Sequence, residues 1–159
     1  MTIEPFGNIK FNERNKEWFG LVDNICPNNK VELSISVNNV AQNLDDKLEL
    51  VKKLAADYER IVTDLYDLAY KSYKNTESEV TRNEIEKMYF LTAVNLKEDN
   101  RTWWLVLEPA FNVTSRYNHF LRFTMLDRKI IWANFDINID KKRNRKNVFL
   151  DCCKLKRGQ

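Results

Sequence analysis

Apolar and polar residues alternate along much of this chain with a period of two, and one long stretch with a period near 3.6 interrupts them. Ile9 and Phe11 stand between polar neighbours, and Trp18, Phe19, Leu21 and Val22 form a second run after the polar turn from Asn12 to Lys16. Pro27-Asn28-Asn29 marks another turn. Beyond it Val31, Leu33, Ile35 and Val37 alternate with Glu32, Ser34 and Ser36, the pattern of a half-buried strand. Residues 9 to about 37 therefore predict a three-strand antiparallel meander.

The helical stretch follows. Leu44, Leu48, Val51, Leu54, Ala55, Tyr58, Ile61, Val62, Leu65, Leu68 and Ala69 fall on one stripe, with Asp45, Glu49, Lys52, Lys53, Glu59, Arg60 and Asp64 outside it. Asn43 suits the cap, and Asp45 and Asp46 favour the N-terminal end of the dipole. With no Gly or Pro before Asn75, the spacing predicts one helix of roughly 45 Å at 1.5 Å per residue. Thr81-Arg-Asn-Glu84 then reads as a capping box opening a short helix, with Ile85, Met88 and Tyr89 inward.

Strand patterns return afterwards. Leu91–Leu96 and Trp103–Leu107 flank a turn at Lys97–Asn100, and Pro109 ends the second run. His119, Leu121, Phe123 and Met125 alternate with polar or outward residues, Asp127-Arg128 turns, and Ile131, Ala133, Phe135, Ile137 and Ile139 alternate again. Asp140–Lys146 predicts a polar turn, and Val148–Leu155 a last strand. The expectation is an α+β fold: an antiparallel sheet built from the N-terminal meander and C-terminal hairpins, carrying one long and one short helix. Strands, helices and strands in blocks do not suggest the βαβ alternation of a parallel sheet.

Composition narrows the classes. The 159 residues suit a single domain over 1–159, large enough to fold without metal or disulfides. No apolar run approaches the ~20 residues of a membrane span, and the N-terminal residues do not read as a signal peptide. With an odd set of cysteines, Cys26, Cys152 and Cys153, this predicts a cytoplasmic protein with reduced thiols and no membrane association. The formal charge of +3 is uneven: residues 141–159 hold eight basic residues against Asp151, whereas the first 140 hold 18 basic and 22 acidic. The segment 141–159 therefore reads as a basic C-terminal extension.

Searching for chemistry excludes more than it finds. His119 is the single histidine, no nucleophile motif accompanies it, and one His with three Cys matches no zinc spacing. Three glycines, Gly7, Gly20 and Gly158, cannot build a phosphate-cradling loop. No catalytic residue, metal or cofactor is expected. Paired carboxylates such as Asp45 with Asp46 or Glu98 with Asp99 read as a helix cap and a polar turn.

The candidates are for binding. Trp103 and Trp104 put one indole on each sheet face; one belongs to the core, and the other is either a partner contact or packed under a loop. Lys141, Lys142, Arg143, Arg145 and Lys146 form a basic cluster. It is open to three readings: a solvated turn, contact with an acidic protein surface, or salt-sensitive binding of nucleic acid.

Phe6-Gly7, then Trp18-Phe19-Gly20, an alternating strand, a long helix, a short capped helix and a closing hairpin entered at His119 follow one another in an order that resembles a bacterial family of unknown function, the domain of unknown function 2262 type and its relatives. The resemblance spans about residues 6–139 and rests on Phe6-Gly7, Trp18-Phe19-Gly20 and the His119 entry to the closing hairpin. Asn118 replaces an expected Gly, and the last strand passes through Asp136 and Asn138 without one. The resemblance brings no catalytic residues. It implies an immunity-type protein that binds and blocks a toxin; the candidate contacts, taken from the residues themselves, are Trp103, Trp104, His119 and the 141–146 cluster. The alternatives are an enzyme or nucleic-acid-associated protein whose site assembles only in the fold, and a homodimer pairing its edge strands.

Overall fold

A computed structural model describes residues 1–114, 117–135 and 148–149. The meander forms as expected. β3 (Lys10–Asn12), β4 (Glu17–Val22) and β5 (Val31–Ser36) pair antiparallel in sequence order. A small hairpin precedes them, β1 (Thr2–Ile3) with β2 (Gly7–Asn8). The backbone of that hairpin lies against β4 at Gly20, where a Cβ would collide with the Asn8 carbonyl oxygen and come within 3.1 Å of Ile9 Cα. Gly20 therefore answers to a backbone approach that no side chain permits.

The helical stretch is not the single helix its periodicity predicts. It divides at Asp57 into α1 (Asp45–Ala56) and α2 (Tyr58–Tyr73). The apolar stripe runs through both, with Val51, Leu54, Ile61, Leu65 and Ala69 in the core. Asp57 receives Arg60 from the next turn and Arg128 from a β-turn far along the chain, so its carboxylate anchors the junction. The cap of α1 is Leu44, which makes no side-chain bond, and not Asn43 as the sequence predicts; Asn43, one residue earlier, accepts the Asp45 N–H at 2.8 Å through Oδ1. The capping box is present: Thr81 Oγ1 accepts from the Glu84 N–H, and the Glu84 carboxylate accepts from the Thr81 N–H at 2.6 Å, opening α3 (Arg82–Met88).

After α3 the chain runs directly into β6 (Tyr89–Leu96), then β7 (Thr102–Pro109), β8 (Leu121–Leu126), β9 (Lys129–Phe135) and β10 (Val148–Phe149). The main sheet has the order β10-β9-β8-β7-β6-β5-β4-β3. All its neighbours are antiparallel except β5 and β6, which are parallel. This corrects the all-antiparallel expectation. The three helices form the crossover between β5 and β6 and return the chain to the same end of the sheet, which requires a parallel join.

Two further expectations shift. His119 lies in a bend ahead of β8 rather than inside a strand. Thr92 is an extra residue in β6 opposite β7, a bulge that moves the buried set from Tyr89 and Leu91 to Val94 and Leu96. Asp127 and Arg128 make the predicted hairpin turn, both at positive φ. Val148–Phe149 does join the sheet against β9. The expectations for 136–147 and for 150–159, including Cys152 and Cys153, lie outside the described residues.

One face of the sheet carries the core. Val31, Leu33 and Ile35, then Trp103, Leu105 and Leu107, then Leu121, Phe123 and Met125 are all buried with the helices' inner stripe. Among the described residues, no helix is long and apolar enough to cross a membrane.

Candidate functional site

The opposite face of the sheet takes its side chains from the other parity of each strand. Cross-strand register sets them in rows. One row runs Phe19, Ser34, Asn95, Trp104, Thr124, Trp132 across β4 to β9. The next runs Leu21, Glu32, Ala93, Val106, Arg122, Asn134. Trp104 is 53% exposed, Leu21 56% and Phe19 42%, while Trp103 on the core face is 5% exposed. Exposed large apolar side chains at two places on this face, Phe19 with Leu21 on β4 and Trp104 on β7, make it the leading candidate for contact.

The Trp104 indole is held in place. Lys97 Nζ sits 3.1 Å from the ring centroid, a cation over the negative face of the ring. Burial pushes the Lys97 ammonium below its ordinary value, against the opposing pull of Glu98 and Glu17. The turn that carries Lys97 is fixed from both sides. Buried Lys47, 1% exposed, donates to the Lys97 carbonyl oxygen at 3.0 Å and to Asn100 Oδ1 at 2.6 Å. Asp99 accepts from the Thr102 hydroxyl, the Thr102 N–H and the Arg101 N–H at 2.6, 2.8 and 2.9 Å. These bonds hold the Asp99 carboxyl down at about 2. Arg101 in turn pairs with Asp127 in the neighbouring turn.

Polar groups on this face are more enclosed than simple alternation predicts. Ser34 and Ser36 are buried, and the Ser34 hydroxyl donates to the Glu17 carboxylate beside Phe19. Asn95 Oδ1, between Ser34 and Trp104, is buried with no hydrogen-bond partner in the described structure.

His119 belongs to a different place. Its Nε2 is 2.7 Å from Tyr73 Oη, which is 2.8 Å from Tyr89 Oη. Tyr89 donates its one hydroxyl proton to the Tyr117 carbonyl oxygen at 2.8 Å. Tyr73 must then donate to Tyr89, and the remaining proton on the Tyr73–His119 contact must sit on Nε2. Burial and this donated bond drive the Tyr73 phenol far above its ordinary range, and burial pushes Tyr89 up to about 12. This chain of hydrogen bonds ties α2 and β6 to the segment before β8. A shallow hollow near the start of α3, lined by Tyr70, Glu79, Val80, Thr81, Arg82 and Glu84, does not include His119.

The structure thus separates the candidates that the sequence groups together. Trp104 is on the uncovered face, Trp103 is in the core, His119 is in the tyrosine chain, and the 141–146 cluster lies outside the described residues. Phe19, Leu21 and Trp132 were missed as surface groups. Their parity opposite Gly20, Val22 and Ala133 was visible, but which parity faces water depends on where the helices pack. Among the described residues no cluster of His, Cys, Asp or Glu is arranged to hold a metal ion. No protein-family model matches the chain, and no curated protein or solved structure matches it either.

Proposed function

We propose that this chain is a protein-binding module and that the uncovered sheet face around Trp104 is its docking surface. The observation that carries this reading is the half-exposed Trp104 indole, braced by Lys97 and set in a row with Phe19 and Trp132. A rigid aromatic on a rigid strand gives contact area with little ordering cost, which is why tryptophan dominates binding hot spots. In its narrower form the proposal is a bacterial, cytoplasmic, immunity-type inhibitor that blocks a toxin by surface complementarity. The face carries Glu32 and Glu17 as well as Lys97 and Arg122, a balance that suits a protein better than a polyanion. The enzyme alternative has less behind it, because His119 is engaged by Tyr73 away from this face.

The test compares capture from source lysate by tagged wild-type chain and by Trp104→Ala, after nuclease treatment and through a salt series. The expected result is one stoichiometric protein retained by the wild type. Truncating an indole hot spot costs about 2 kcal/mol or more, so Trp104→Ala should weaken capture by roughly 30-fold. Equal capture by both, or recovery of nuclease-sensitive material alone, would overturn the reading.

A further inference from the structure

Two pairs of side chains on the uncovered face, one charged and one aromatic, are placed symmetrically about its middle. In one row the exposed acid Glu32 stands on β5 and the exposed base Arg122 on β8. Those strands lie at equal distances from the seam between β6 and β7. In the adjacent row Phe19 on β4 and Trp132 on β9 are equidistant from the same seam, as are Ser34 and Thr124, and Asn95 and Trp104.

We propose that this face docks against the same face of a second copy of the chain, about a two-fold axis parallel to the strands and centred between β6 and β7. The proposal rests on the reading of this face as a docking surface and names a second copy as its occupant in the isolated chain, so that a heterologous protein captured through Trp104 would compete with the dimer. A half-turn about such an axis preserves position along the strands and exchanges left for right. β5 then lies over the partner's β8, and β6 over the partner's β7. Glu32 meets the partner's Arg122, and Arg122 meets the partner's Glu32. Phe19 is brought over Trp132, and Trp104 over Asn95. Every contact occurs twice, as an isologous interface demands.

The dimensions fit. Stacked sheets lie ~10 Å apart, a gap that facing Glu and Arg side chains can span and that facing aromatics fill. Six strands at ~4.8 Å and six residues at ~3.3 Å give roughly 570 Å² in flat projection. Side-chain relief brings that towards the ~800 Å² per partner of a standard interface. Sheet twist concentrates contact on the middle strands, where the Glu32–Arg122 pairs and Trp104 sit. A nucleic acid would meet Glu32 in the same row as Arg122, so the charge pattern suits a second copy of the chain better than a polyanion.

Sedimentation velocity on the full chain over a concentration series tests this with wild type, Glu32→Arg, Arg122→Glu and the double reversal. The wild type should be a dimer. Each single reversal sets like charges face to face twice and should raise the dimer dissociation constant by about tenfold or more. The double reversal should restore it. Both positions are exposed, and near-ultraviolet circular dichroism verifies that each variant folds. A wild type that stays monomeric at about 100 µM overturns the proposal, because a standard interface should associate well below that. A dimer indifferent to all three variants overturns it too and points to edge-strand pairing. Neither failure touches lysate capture through Trp104, which stands or falls by its own comparison.

Discussion

Lys47 shows how one side chain away from the uncovered face governs it. The residue sits on α1 yet is more buried than several leucines of the same helix, because its ammonium closes the β6–β7 turn through the Lys97 carbonyl and Asn100. Removing it takes the charged donor from Asn100 Oδ1 and leaves the Lys97 carbonyl only the longer bond from the Asn100 N–H at 3.3 Å. Lys47→Ala is expected to lose about 2–3 kcal/mol in urea unfolding, well beyond the cost of a surface lysine. The same variant should change the tryptophan emission, since Lys97 would no longer be held over Trp104. Nothing in the sequence marked Lys47, for a lysine between Asp46 and Leu48 reads as ordinary helix surface. Its meaning comes from a turn some fifty residues away. Trp104 was half legible: alternation put it opposite Trp103, but only helix placement decided which indole went inside.

Elements were more legible than contacts, and the capping box is the best case. Thr81 and Glu84 satisfy each other's free backbone N–H groups as their spacing implied, so α3 begins where the sequence placed it. Thr81→Ala should cost about 1 kcal/mol in thermal or urea unfolding, with Thr81→Ser close to wild type. The α1–α2 junction was illegible for the opposite reason. Asp57 breaks no local rule, and the partner that anchors it, Arg128, stands 71 residues later in the β8–β9 turn. The parallel β5–β6 join was hidden likewise, because period-two patterning identifies a strand but not the direction of its neighbour. Strand existence follows from local pattern; strand order follows from how the helical crossover packs.

At the scale of the molecule, acidity should act on the face through Asp99. Its carboxyl is depressed from 3.8 to about 2 by the bonds that fix the turn. A depressed carboxyl stabilises the folded arrangement above its unfolded value and loses that contribution as pH falls through the folded one. Between about pH 4 and pH 2, the Lys97–Trp104 stack should therefore loosen, read as a shift in tryptophan emission. Asp99→Asn should show the loosened emission already at neutral pH and a flatter response to acid. A wild-type emission that stays constant over that interval would count against the turn's control of the indole.

The parallel join also sets the timing of synthesis. The β3–β5 meander is complete once Ser36 has been made, but β5 gains its second neighbour only after Leu96, about 60 residues later. At the usual 5–20 residues per second that interval lasts roughly 3–12 s, during which the nascent chain carries a bare apolar edge. Glu32 stands exposed near the start of that edge strand. A charge there discourages wrong pairing with other chains, so the acid that the finished fold presents on its open face also guards the unfinished one.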